Sequence, residues 1–298
     1  MAERKPMPDH IRNPAEWGAD QMRAAGDGLK EARHHARGAT AAAPPEVRRI
    51  GIADLRGVLA AGVRDFGAYR TDVLFLCLIY PLAGLVLARL AVGYDLLPLV
   101  FPLASGFALL GPVAALGLYE MSRRREQGER IGWADAFGVL RSPALGTILV
   151  LGLVLLVAFL AWLGAAQLIY AVTLGPEPPA SLGAFVGDVF TTGAGWAMIL
   201  IGCGVGFLFA VGVFTISVIS FPLLLDRDVG LGAAIATSVA AVRTNPGPMA
   251  AWGLIVSGGL VLGSLPALLG LVFVMPILGH ATWHLYRRVV VPPAAAAG

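Results

Sequence analysis

Two histidines, His280 and His284, stand four residues apart in "LGHATWHLYRR" near the C-terminal end of the chain. On a helix that spacing projects both imidazoles from one face. There they can ligate a metal, or each can approach a haem. A haem–copper centre needs more histidines than these two, which are the only ones in the apolar part of the chain. The remaining soft ligands there, Cys77 and Cys203, show no metal-site spacing and read as small membrane-buried residues. The alternative for the histidine pair is an aromatic and polar belt with Trp283 and Tyr286 beside the arginines of "LYRR", or a helix–helix hydrogen bond. The belt is the expectation, and no metal or cofactor is expected.

Other chemistry finds little support. The only lysines are Lys5 and Lys30, so no phosphate-binding glycine loop with a lysine exists. Neither a nucleophile elbow nor an HExxH pair is present. Gln167 is the deepest strongly polar side chain in its apolar run, and Glu120 ends another. A scarcity of charge inside the apolar runs argues against a proton-coupled pump. The residues lean away from an enzyme.

The elements that position these side chains are hydrophobic. Of 298 residues, 57% are hydrophobic and 14% charged, against about 45–50% and about 25% in soluble domains. Six apolar runs, about 73–93, 97–119, 145–172, 195–224, 248–264 and 266–286, suit membrane helices of roughly 20 residues. The last two form one continuous stretch, which "GSLP" (263–266) can divide with a tight turn. With these spans every Lys and Arg except Arg89 falls on one side, and the connection 173–194 has neither. The positive-inside rule then puts both termini of a multi-pass membrane protein in the cytoplasm. Residues 1–50 read as a polar cytoplasmic tail, partly disordered and without a cleavable signal peptide, and 291–298 as a disordered tail. The membrane domain is 51–290.

That domain repeats a junction. "GAYRTD", "GVLRSP" and "AVRTNP" place Arg70, Arg141 and Arg243 before an apolar run. Apolar residues one, four and eight positions upstream line a helix face, as Leu140, Phe137 and Trp133 do, so each Arg is expected to close a short interfacial helix. Asp72, Ser142 with Pro143, and Asn245 with Pro246 then read as helix starts, Asn245 as a cap. "PVAALGLYEMSRR" (112–124) and "PILGHATWHLYRR" (276–288) match at the exits. The expected fold is all-α: a polytopic membrane protein of six transmembrane helices in three pseudo-repeated hairpins, each preceded by a short interfacial helix. The repeats cover about 51–120, 131–225 and 230–288. Gly202/Gly206 and Gly259/Gly263 are GxxxG spacings suited to helix packing. Arg123, Arg124 and Arg125 suit anionic lipid headgroups.

"YRTDVLFLCLIYPLAGLVLARL", "SGFALLGPVAALGLYEMSRRRE", "VISFPLLLDRDVGLGAAIATS", "RTNPGPMAAWGLIV" and "LGHATWHLYRR" together resemble a bacterial integral-membrane family, domain-of-unknown-function family 2189. The resemblance spans about 50–290 and implies an inner-membrane location. It carries no activity and no catalytic residues. A cytochrome oxidase subunit label borne by some relatives fails on the histidine count. Three readings remain. The leading one is a non-enzymatic scaffold or accessory of a membrane complex, or a lipid-organising protein. The others are a transporter or channel for a lipid-like or weakly polar solute, and a haem or metal protein using His280 and His284. Membrane lipids, and a membrane-protein partner or a second copy, are the expected partners; nucleic acid is not.

Overall fold

The computed structural model describes residues 43–77, 97–129 and 132–292, with isolated positions at 82, 84–86 and 89. Eleven α-helices are traced among them. They are α1 (Asp54–Cys77), α2 (Val100–Leu109), α3 (Gly111–Ala114), α4 (Leu116–Glu126), α5 (Leu145–Thr173), α6 (Leu182–Thr191), α7 (Gly193–Ser217), α8 (Ser220–Asp226), α9 (Leu231–Thr244), α10 (Pro246–Ser264) and α11 (Leu271–Val289). A 3-10 helix, Trp133–Arg141, leads into α5.

Among the described residues, three stretches are long and apolar enough to cross a membrane: Leu145–Thr173, Gly193–Asp226 and Pro246–Ser264. Their outer faces expose large apolar side chains, among them Leu153, Val157, Leu168, Leu200, Phe207, Leu208, Leu254 and Leu262. An exposed apolar surface of this extent belongs against lipid. The chain is thus an all-helical protein with membrane-spanning helices. Its best-packed core lies at the opposite extreme of polarity, where α4, α8, α9 and the second half of α11 bury Met121, Phe221, Trp283 and Tyr286.

The six expected runs are realised unevenly. The first lies mostly outside the described residues. The second is broken into α2, α3 and α4, with Pro112 in the short α3 (Gly111–Ala114). The last two runs are separate helices, joined by a turn at 265–270 in which Ala267 and Leu268 take left-handed backbone angles (φ 50° and 67°). The second half of α11 packs within the polar end instead of presenting an apolar surface to lipid.

The junctions differ as well. No break occurs at Arg70: α1 runs through Arg70, Thr71 and Asp72 without interruption. The second and third copies carry Pro143 and Pro246, whose nitrogen cannot donate to a preceding carbonyl. Asp72 keeps its N–H, so the helix continues. The segment before Arg141 is a 3-10 helix that leaves Phe137 and Leu140 exposed. At the third junction α9 is not laid on a surface. It buries small side chains, Ala234, Thr237, Ser238 and Ala241, and seals the α7–α8 joint, where the Ile219 amide donates to Ser238 Oγ at 3.2 Å.

Asn245 is not a cap through its side chain. Its Oδ1 accepts from the Ile50 amide at 2.8 Å, and its Nδ2 donates to the Arg48 carbonyl at 3.1 Å. The segment so held pairs with the end of the chain. Val47 and Val290 form an antiparallel bridge, and Arg48 donates to Val289 while Val291 donates to Glu46, both at 2.9 Å. Residues 46–50 and 289–291 therefore clasp one another across the polar end. Pro246 does open α10 at its first position.

Candidate functional site: a buried polar seam

Helices α1 and α11 run antiparallel in close contact. A Cβ on Gly62 would come within 2.7 Å of the Ala281 nitrogen and the Ile277 carbonyl, so only glycine fits there. At the same level α4 meets α11, with Leu118 against Gly279. This convergence brings Asp65, Ser122, Arg125, His280 and His284 together.

Asp65 is the hub and is buried. Its Oδ1 accepts from Arg125 at 2.8 Å. Its Oδ2 accepts from the Ser122 hydroxyl at 2.7 Å and faces His284 Nε2 at 2.9 Å. Ser122 Oγ also lies 2.8 Å from His280 Nδ1. A carboxylate only accepts, so the single Ser122 proton goes to Asp65. The network then assigns a proton to His280 Nδ1, which donates to Ser122, and one to His284 Nε2. Burial raises the Asp65 carboxyl, but hydrogen bonds from His284 and Ser122, with the field of both imidazoles, outweigh it and hold the group below its ordinary 3.8.

Four further carboxylates, Glu120, Asp135, Asp226 and Glu126, anchor the neighbouring groups. Glu120, buried on α4, takes Arg123 in a two-pronged contact at 2.8 and 2.9 Å and Arg124 at 2.6 Å. Arg124 also donates to Asp135 of the 3-10 helix at 2.7 Å. Hydrogen bonding to Glu120 raises both guanidinium groups above their ordinary value. Asp226 at the end of α8 accepts from the Tyr286 hydroxyl at 2.5 Å. Glu126 accepts from Arg287 at 3.0 Å and from the Trp283 indole at 3.2 Å.

The candidate residues named from sequence now have places. Arg123, Arg124 and Arg125 each bind a carboxylate of this chain, which leaves less of them for headgroups. Arg141 and Arg243 are exposed; the side chains of Arg70 and Asp72 lie outside the described residues. Pro143 separates Ser142, which accepts from the Ala144 amide at 3.2 Å, from the start of α5. Gly259 and Gly263 face Val274, Leu278 and Leu271 of α11. Gly206 faces the Trp162 ring, and a Cβ on Gly202 would meet nothing within 4 Å.

His280 and His284 share one helix face, and their ring nitrogens point at Ser122 and Asp65. Among the described residues no group of three or more His, Cys, Asp or Glu side chains is placed to hold a metal. Ser122 is buried against its partners, so it is not presented to a substrate. What the arrangement does chemically is hold protons and charge in a fixed pattern that locks α1, α4 and α11 together. Asp65 escaped sequence reasoning because its partners lie 57 and 219 positions away. Glu120 with Arg123 and Arg124 was readable in principle, as carboxylate and cations at i, i+3 and i+4.

An all-helical chain with lipid-facing spans and a closed polar end defines an integral membrane protein. Residues 100–226 match the profile of a family described as predicted integral membrane protein (DUF2189), and over that segment the chain carries the family's sequence. The match takes in α2 to α8, including Glu120, Ser122 and the three consecutive arginines. The motifs around Asn245 and His280 lie outside it. No curated protein and no solved structure matches the sequence.

Proposed function

We propose that this protein is a non-enzymatic scaffold or accessory of a membrane complex in a bacterial inner membrane, organising lipid or a partner through its polar end. One observation carries the reading. The side chains of reactive type are consumed as internal struts, whereas five arginines, Arg49, Arg56, Arg64, Arg141 and Arg243, are exposed with no ion pair among the described residues. Unpaired cations around the base of a membrane bundle favour anionic headgroups or an acidic partner surface, each worth about 1 kcal/mol near a charged leaflet. The positive-inside pattern supports placing that end, with both termini, on the cytoplasmic side. Six spans in three repeats remain part of this reading, supported by the matched Pro143 and Pro246 junctions.

Affinity purification of the full chain in mild detergent tests the reading. It should recover a stoichiometric partner protein or retained anionic lipid. Replacement of Arg56, Arg64, Arg141 and Arg243 by Gln should strip that material while leaving the melting profile in place. A lipid-free, partner-free monomer from the unaltered chain would overturn it.

A further inference from the structure

A groove of roughly 220 Å³ opens on the lipid-facing side between α2, α5 and α7. Its origin is a wedge. The Trp162 indole stands between two glycines: a Cβ on Gly106 would meet Trp162 Cδ1 at 3.0 Å, and one on Gly206 would meet its far edge at 2.9 Å. One turn from Gly206, Gly202 has nothing within 4 Å of its Cβ position, and there the wall falls away. Cys203 and Ala210 add small side chains to the same wall.

The groove is mainly apolar and offers water few partners. Trp162 Nε1 donates to the Pro102 carbonyl at 3.0 Å, and Ser105 Oγ donates to the same carbonyl at 3.2 Å. The indole N–H and the serine proton in the lining are thus both engaged with the backbone. An apolar cavity without polar partners stays dry, and one of about 150 Å³ already takes a benzene-sized guest. Left empty, the lining loses its dispersion contacts. Phe101 and Phe207 at the mouth are both largely exposed, so the groove is continuous with the lipid-facing surface of the spans. Gly202 to Ala210 is the middle of α7, the level of acyl chains and not of headgroups.

From this we infer that the groove is a specific acyl-chain site, occupied by a single hydrocarbon tail of a membrane lipid lying against Trp162 and Gly202. The inference is independent of the scaffold reading, because it concerns the hydrocarbon face and not the polar end.

The test uses the full chain in vesicles of phosphatidylglycerol containing a small share of the same lipid with a diazirine in mid-tail. After irradiation, adducts should concentrate on peptides covering 101–109 and 202–210. Excess unlabelled oleate should displace them in a saturable way. Gly202→Leu fills the groove and should cut labelling roughly tenfold. Gly204→Leu adds the same bulk to the same helix where nothing lies within 4 Å and should label as the unaltered chain does. Should Gly202→Leu fail to fold, saturable displacement by oleate in the unaltered chain still decides. Labelling that oleate does not displace, labelling as strong over Leu254 and Leu262 of α10, or an absence of adducts because the chain itself covers the groove would each overturn the proposal.

Discussion

Ser122 and His280, 158 positions apart in sequence, share a 2.8 Å hydrogen bond inside the polar end. Because Asp65 claims the serine proton, His280 donates through Nδ1, and its buried Nε2 has no partner among the described residues. The bond therefore has a fixed direction. It welds α4 to α11, while Asp65 brings in α1.

Ser122→Ala should leave His280 Nδ1–H without an acceptor and remove one donor from Asp65. An unsatisfied buried donor costs about 1–3 kcal/mol. Thermal melts in detergent should show that loss, and Ser122→Thr, which keeps the hydroxyl, should recover part of it. If Ser122→Ala melts with the unaltered protein, the bond does not hold the helices.

Asp65→Asn should be harsher, since it removes the charge and one of the two acceptor oxygens that Arg125, Ser122 and His284 share. Breaking a buried pair by removing one partner costs about 3–5 kcal/mol, and the partly exposed Arg125 places this case near the lower end. The effect has a pH signature. The folded carboxyl titrates below its ordinary 3.8, so its stabilisation is complete above that value and disappears as the pH falls through the lower folded value. The gap between the unaltered protein and Asp65→Asn should be constant near neutrality and close below about pH 4. A gap that persists in acid would assign the loss to packing.

Gly62 and Gly57 lie on the same helix and should respond in opposite directions. A methyl at Gly62 meets the α11 backbone, which cannot yield as a flexible side chain can, so Gly62→Ala should cost about 1–3 kcal/mol. Gly57 has nothing within 4 Å, and Gly57→Ala should stabilise by up to about 1 kcal/mol through helix propensity. Paired melts would decide; equal responses would mean that the α1–α11 contact is looser than drawn.

What sequence could and could not reveal follows from the range of the interactions. The shared face of His280 and His284, the helix starts after Pro143 and at Pro246, and the break after Ser264 all depend on neighbours within a turn or two. Composition alone marks α5, α7 and α10 as membrane helices. The Arg70 junction misled because its resemblance to the others omits the proline that stops a helix. Of the arginines of α4, Arg123 and Arg124 have their Glu120 partner within one turn, whereas the Asp65 partner of Arg125 lies 60 positions away and leaves no local signal. Asp65 became a hub only when α1 and α11 met at Gly62, a contact between residues 219 positions apart in the case of His284. Asn245 carried a strong local signal for capping, but a tertiary partner outcompeted it.

That competition gives the sharpest expectation. If Asn245 served α10 as a helix cap, Ser or Asp would replace it with little loss. Its amide instead accepts from Ile50 and donates to Arg48, so a replacement needs both an acceptor and a donor at the right reach. Asp supplies no donor and Ser is too short. Asn245→Ala, Asn245→Ser and Asn245→Asp should therefore all loosen the clasp between 46–50 and 289–291, at about 1–3 kcal/mol each. Trypsin reports this directly, because Arg48 and Arg49 lie in the clasped segment. Cleavage there should accelerate in all three variants while α5 and α7 stay intact. Protection retained in Asn245→Ser would restore the capping role and leave the terminal clasp to the Val47–Val290 bridge alone.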